Sequence, residues 1–488
     1  MARVTNPVLP GFHPDPSWVR VDGWTYLVTS TFAWLPGLPV VRTRDFITWE
    51  ALPPVIDAAA LPDLRDHGCD DGLYAPGLRH DGRRFILACT VVHRSRQRFR
   101  NFLCTSEDPT RGWSAPVWLP EDMGRIDPTP FIDDDGSLWL VLNDRPSTDG
   151  HHGANREIRL WRLDPATLQP VEGPWVLWHG ALVGVSTPEA PRLFRRDGWY
   201  WLLIAEGGTG ANHAVTMARS RVITGPYEGC PANPLLTHRH LGPGAPVQCV
   251  GHADLIAHED DSWWAACLAE RWSVGHRWLG RETWILPVAW PPGDGWPVFA
   301  PGEGRLPAAV TVPGPERAPS PVEDGWIGLR GHPGLIAAEL GPDRGRLPAR
   351  TDHWDEPAGI PALVARRLTA HAGRWEMTLE REGAATAVLL LFTSDRRWIA
   401  LRWDGAEVVL VDAAGREHGR APCTAAGAVM ALAWDDQGIH ARVDGDPLGT
   451  APVAALEGPV FAGAVAAVVA LGPSGAVVFT VRDRSGTG

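Results

Sequence analysis

Along roughly the first 280 residues the chain repeats one hydrophobic pattern: a small acidic or glycine turn, then an aromatic-rich run in which apolar and polar positions alternate. The pattern starts at Asp22 (DGWTYLVTST), Asp81 (DGRRFILACT), Asp135 (DGSLWLVLND), Asp197 (DGWYWLLIAE) and Asp261 (DSWWAACLAE). Between these starts lie further short period-two runs bounded by Asp, Gly and Pro, as hairpins require. One repeat therefore amounts to one four-stranded sheet. Such a sheet cannot bury both its faces alone, and packing several of them radially about an axis solves the problem. Five repeats predict a five-bladed β-propeller over residues 1–312.

The pattern then changes. Residues 313–325 (PGPERAPSPVEDG) have the composition of a Pro-rich linker. Beyond them come the alternating runs RWEMTLERE, ATAVLLLFTS, RWIALRWDG, AEVVLVDAAG, GIHARVDG and VVFTVRD, with polar turns and no long helical period. These predict an antiparallel β-sandwich over residues 326–488, and the whole chain reads as all-β.

Six to nine positions ahead of each propeller strand start stand Asp15, Ala75, Asp127, Glu189 and His252. In a propeller the innermost strands line the channel, so equivalent residues of successive repeats converge on one axis, and three of these five are carboxylates. An Asp-Pro pair such as Asp15-Pro16 or Asp127-Pro128 is also an ordinary turn opener, its carboxylate bonding nearby amides. Three acids in phase point instead to a catalytic centre. No CxxC, HExxH or GxSxG pattern is present, which leaves acid–base work or cation binding. Glycoside hydrolysis fits, since it needs one carboxylic acid to protonate the leaving oxygen and one carboxylate to activate water or attack carbon. A third carboxylate beside the acid keeps it protonated. Glu206 is the one other acid placed to compete with Glu189. The rival class is a non-catalytic sugar- or calcium-binding propeller. For that reading Asp133, Asp134 and Asp135 form an acidic run, but DDDG before a strand is a solvated turn without EF-hand spacing.

Composition narrows the partners. Acidic residues outnumber basic ones, 57 to 45, for a net charge of −12, and no basic run is interleaved with aromatics, so nucleic acid is not expected. No apolar stretch reaches the length of a membrane span and no leader pattern opens the chain. The seven cysteines are odd in number and scattered, as for buried thiols in a reducing compartment; a cytoplasmic location is the expectation. A homo-oligomer is compatible with the sequence. Of the 25 Trp, Trp139, Trp201 and Trp263 read as inter-blade core. Trp34, Trp272 and Trp278 fall in loops, where their faces suit amphipathic ligands, although for any single Trp a core position is the first expectation.

The blocks NPVLPGFHPDPS, STFAWLPG, VVRTRDFITWE, IDPTPFIDDDG, PEAPRLF, AEGGT, GHADLI and LGRET, in this order, resemble glycoside hydrolase family 43, and in particular its two-domain β-xylosidase and α-L-arabinofuranosidase members. The second domain resembles the family's concanavalin-like β-sandwich more loosely, ALVARR at 362–367 being the clearest match. The resemblance implies an exo-acting, inverting enzyme that releases a terminal pentose from small xylan or arabinoxylan oligosaccharides. It implies Asp15 as general base, Glu189 as general acid and Asp127 as the carboxylate that tunes and orients Glu189. It further implies that Arg281, Phe32, Tyr74 and His252 bind substrate, with no required cofactor and a hydrated calcium ion as a ligand of His252 at the channel centre in some members. Four positions depart from the family: Tyr74 where Trp is common, Ala190 for Gly, Arg192 for a frequent His, and Ala33 where an acid is common.

Overall fold

The computed structural model describes all residues except 1, 59–61, 147–154, 183–186, 274–275, 315–321, 323–324, 459–460 and 488. Most of the Pro-rich stretch 313–325 thus lies outside the described residues.

Five antiparallel sheets, four of them four-stranded and one with a fifth strand, follow one another along the chain. Blade I comprises Ser17–Val21, Trp24–Val28, Val40–Thr43 and Glu50–Leu52; blade II, Gly72–His80, Phe85–His93, Arg98–Ser106 and Val117–Trp118. Blade III comprises Thr129–Ile132, Leu138–Asp144, Glu157–Leu163 and Pro170–Trp178. Blade IV comprises Glu189–Arg196, Trp199–Glu206, Ala214–Ser220 and Glu228–Gly229, with Leu236–Thr237 also paired to its third strand. Blade V comprises Val247–Ala257, Trp263–Arg271, Arg281–Ala289 and Val298–Phe299. The aromatic runs that open on Asp-Gly or Asp-Ser are the second strand of each blade. Their aromatics pack between blades: Trp201 and Trp263 join Phe194, Trp290 and Trp296 in a cluster with ring centroids 4.9 to 6.4 Å apart. The ring is closed by Ala2–Thr5, which pairs with Ala309–Val312, and by Asn6, whose amide bridges Ile285 and Pro307 of the last repeat.

Beyond Val312 a six-stranded and a seven-stranded antiparallel sheet pack face to face. The six-stranded sheet is buried on both sides. From the strand Thr386–Ser394, Leu389 and Leu391 face the sandwich core, whereas Val388, Leu390 and Phe392 face the propeller and meet Phe12, Phe32, Trp34 and Cys69. This two-sided burial explains the unbroken apolar run AVLLLF, since a strand with only one buried face would alternate. It also gives two of the loop tryptophans a core place. Trp34 and Trp278 are core residues of the domain junction, 1% and 2% exposed, because the sandwich covers the loops that carry them. In the junction Gly280, whose φ of +80° lies in the left-handed region that other residues avoid, lies against Gly463. A Cβ on Gly280 would stand 2.6 Å from the Cα of Gly463, and one on Gly463 would stand 2.0 Å from the carbonyl oxygen of Leu279.

Candidate active site

Each innermost strand enters the channel through the same backbone kink. Asp15, Ala75, Asp127, Ala190 and His252 all have left-handed φ, between +30° and +62°, and the first four precede a proline. In blades II, IV and V a register shift coincides with the kink, the usual effect of a bulge that bends a strand and re-aims its side chains. The structurally equivalent residue in blade IV is therefore Ala190. Glu189 stands one position earlier, level with Pro14, Tyr74, Ile126 and Gly251, so the carboxylates are not strictly in phase. They nevertheless converge: Asp15, Asp127 and Glu189 line one cavity of about 260 Å³ with Tyr74, Ala75, Ile126, Thr187, His252, Arg281 and Phe461.

The three carboxylates occupy different electrostatic environments. Burial, the largest single influence, would raise the pKa of Asp15, but the Arg281 guanidinium, His252 and the Ser30 hydroxyl together outweigh it, and the group is held below the usual carboxylate value. Arg281 Nη1 donates to Asp15 Oδ1 at 2.9 Å and Ser30 Oγ donates to Oδ2 at 2.7 Å. Burial pushes Asp127 up to about 7, with the charge of Asp15 adding to it. Glu189 keeps part of its surface open to the cavity, yet the protein around it excludes bulk water. Burial first, then the charges of Asp127 and Asp15, carry its pKa well above the ordinary value. Asp127 Oδ2 accepts the backbone N–H of Ala190 at 2.8 Å. One carboxylate held ionised and another held protonated across a small cavity is the charge pattern that acid–base hydrolysis needs.

Of the other predicted site residues, Tyr74, His252 and Arg281 line the cavity. Phe32 does not. It is fully buried one layer behind, its ring 5.2 Å from that of Tyr74 and 6.1 Å from that of Phe461. The aromatic wall is formed by Tyr74 and by Phe461, which the sandwich contributes and the sequence did not reveal. Phe461 is fixed from the propeller side: its N–H and that of Ala462 donate to Asp70 Oδ1 at 3.0 and 3.1 Å, and its carbonyl accepts from Arg281 at 3.2 Å. Glu206 is buried away from the cavity, accepting from the N–H groups of Ala181 and Leu182 and from Thr216. Asp133 lies in a β-turn, bonded to Tyr200 and Arg195. His213, also absent from the sequence reading, lies buried near Asp15 with Nδ1 2.8 Å from the Cys249 carbonyl, and its pKa is lowered by burial to about 4.

Below the cavity the next equivalent positions are Ser17, Gly77, Thr129, Arg192 and Asp254, and Arg192 closes the channel. It is fully buried, donates to Thr129 Oγ1 and to the Pro76 carbonyl, and lies 3.6 Å from Asp254. Its Nη2 is 3.3 Å from His252 Nε2, while His252 Nδ1 is 3.4 Å from Asp15. Burial lowers the pKa of His252 to about 3, so the ring is neutral at neutral pH. These residues do not fit a calcium ion against His252. One ring nitrogen is met by a fixed cation, and calcium requires 6 to 8 oxygen ligands that an imidazole–guanidinium pair does not offer.

Comparison with known proteins agrees with this architecture. The profile of Glycosyl hydrolases family 43 matches residues 4–297. A "Xylosidase/arabinosidase" of Butyrivibrio fibrisolvens is 40% identical over 319 residues, covering 65% of this chain and 60% of the relative. A "Non-reducing end alpha-L-arabinofuranosidase" of Bacteroides ovatus is 37% identical over 298 residues, covering 60% of this chain and 52% of the relative. The matched region thus spans between half and two thirds of these two relatives. The crystal structure of a xylan beta-1,4-xylosidase from Bacillus halodurans superposes with a TM-score of 0.88 at 27% identity, covering 98% of this chain and all of that one, so both the propeller and the sandwich are shared. The chain belongs to glycosyl hydrolase family 43.

Proposed function

We propose that this protein is an exo-acting, inverting glycoside hydrolase that removes a terminal pentose from xylan-type oligosaccharides, acting as a β-xylosidase. The observation that carries the reading is the opposed electrostatic environment of Asp15 and Glu189 in one cavity. Asp15, held ionised by Arg281, takes a proton from the attacking water as its oxygen bonds to the anomeric carbon. Glu189, held protonated by burial and by Asp127, gives its proton to the glycosidic oxygen as the carbon–oxygen bond breaks. Asp127 supports Glu189 both by charge and by anchoring the N–H of Ala190. Arg281 fixes the base and offers its remaining donors to substrate hydroxyls. The cavity volume of about 260 Å³ lies below the roughly 300–1,000 Å³ of pockets for drug-sized ligands. With Phe461 closing one side, that suits a single terminal sugar rather than an internal stretch of polymer. The seven cysteines, all buried and unpaired, support a reducing compartment.

The names of the relatives favour a second specificity, α-L-arabinofuranosidase action at the same site. Initial rates on 4-nitrophenyl β-D-xylopyranoside and α-L-arabinofuranoside, with Glu189→Ala and Asp15→Ala as controls, decide between the two. Proton NMR of the first-formed sugar tests inversion. Rates no higher than those of the variants on either substrate would leave a sugar-binding propeller.

A further inference from the structure

A second cluster of titratable side chains lies in a cleft of about 690 Å³ between blade II and the sandwich, and none of its lining residues lines the carboxylate cavity. His67 and His93 are each 6% exposed, with ring centroids 4.5 Å apart. His67 Nδ1 and His93 Nε2 are buried without a hydrogen-bond partner among the described residues. Both nitrogens face the Asp66 carboxylate, at 3.1 and 3.6 Å. One donor atom from each of the three residues lies within 4.8 Å of the others.

We propose that Asp66, His67 and His93 bind a divalent transition-metal cation of the zinc type. Orphaned buried polar atoms are rare because desolvation is costly, and here two of them converge on a carboxylate. Imidazole nitrogen suits zinc, nickel and copper, whereas calcium prefers an all-oxygen cage. Two imidazoles with a carboxylate make a three-residue zinc set that leaves one position for water. A carboxylate also backs the cluster, as metal-bound histidines commonly require. Asp71 lies 3.8 Å from His93 Nδ1, with Ser95 Oγ at 3.3 Å, and is itself fixed by the N–H groups of Arg94 and Gly68.

Ligand distances of about 2.0–2.2 Å place tetrahedral donors roughly 3.3–3.6 Å apart, so donors that already lie within 4.8 Å of one another need only a small adjustment. Asp66 has the freedom to supply this, its side chain being 43% exposed. Its ion pair to Arg96, at 2.5 Å, keeps the carboxylate at the cleft and is shared or released on binding. A bound cation would clamp the segment leading from Asp66 to Asp71 onto the end of the strand Phe85–His93. Asp70, which holds Phe461, belongs to that segment. The clamp therefore stabilises one wall of the cavity and leaves the chemistry to the carboxylates.

The test is calorimetric titration of full-length, chelator-stripped protein with zinc chloride and with calcium chloride, together with the visible spectrum of the cobalt(II) form and thermal melts. Expected are one equivalent of zinc bound with a micromolar or tighter dissociation constant, an intense tetrahedral cobalt band, and a melting temperature several degrees higher at hundredfold excess over that constant. Asp66→Asn, at an exposed position, should weaken zinc at least tenfold, and His93→Gln should abolish the cobalt band. Absence of zinc binding at about 100 μM, equal binding of calcium, or zinc binding undiminished in Asp66→Asn would overturn the proposal. If His93→Gln melts below the stripped wild type, Asp66→Asn decides alone.

Discussion

Asp127 holds the residue next to the proposed acid: its Oδ2 accepts the backbone N–H of Ala190 at 2.8 Å. Ala190 occupies the left-handed kink of blade IV, so this single bond sets the angle at which Glu189 enters the cavity. Asp127 thus acts on Glu189 by two routes, charge and backbone position, and substitution separates them.

Asp127→Asn retains an oxygen acceptor for Ala190 but loses the charge, whereas Asp127→Ala loses both. In each variant Glu189 should titrate at lower pH, moving the alkaline limb of kcat/KM downward. The alanine variant should suffer the larger fall in kcat, within the roughly 10²–10⁴-fold range of a general-acid contribution. Equal kcat values in the two variants would remove the positioning role.

The acid limb belongs to Asp15. Because Arg281 holds Asp15 below the ordinary carboxylate value, activity should persist to a pH below about 4 and fall only as Asp15 takes up a proton. Arg281→Ala removes the main opposing charge, so burial then dominates and the acid limb should move upward, with kcat/KM reduced about 100-fold or more. A pH profile unchanged in this variant would show that Arg281 serves substrate alone.

The raised pKa values of Asp127 and Glu189 carry a cost to the fold. A group that binds its proton more tightly when folded stabilises fully below its unfolded pKa, and this stability is lost as pH rises toward the folded value. Glu189→Gln cannot ionise. It should therefore melt above wild type, by a margin that widens from about pH 5 toward alkaline pH. A constant margin across that range would contradict the coupling.

Arg192 supplies a buried positive charge to the floor of the site. Arg192→Met leaves Asp254 with Arg79 as its remaining ion-pair partner, and breaking such a buried pair costs about 3–5 kcal/mol. Added calcium at millimolar concentration should leave kcat and KM of the wild type unchanged, because Arg192 stands where a cation would meet His252. Activation by calcium would refute that assignment.

Phe461→Ala should open the cavity toward the sandwich, raising KM for aryl pentosides about tenfold with a smaller change in kcat. Removal of residues 326–488 would expose Phe12, Trp34 and Cys69 together, at about 1.5–3 kcal/mol for each large apolar side chain. The isolated propeller is expected to aggregate, and a soluble, active fragment would contradict this.

The propeller was legible because its turn chemistry repeats: Asp22, Asp81, Asp135 and Asp197 each precede a glycine, and an aromatic-containing strand starts two to four residues after the Asp. Glu189 was found by the same count, but its one-residue displacement was not, since a bulge changes register without any residue signature. Phe461 was invisible for a different reason. A lone aromatic in an Ala- and Val-rich stretch carries no chemical mark, and only the contact between domains gives it a role. AVLLLF was grouped with the alternating runs, although its six apolar residues are unbroken because both faces of that strand are buried. Arg192 was noticed as a departure, but its position at the centre of the channel follows from the kink that precedes it.

The pairing of Ala2–Thr5 with Ala309–Val312 has a consequence for biosynthesis. Blade I, which brings Asp15 to the axis, has no blade V beside it until the chain has been made almost to residue 312. A ribosome-bound nascent chain carrying all three carboxylates, but stopped short of that closure, should be catalytically silent. The late-made strand completes the ring, the sandwich made after it supplies Phe461 and covers the junction, and activity should appear in one step once both are in place rather than grow blade by blade.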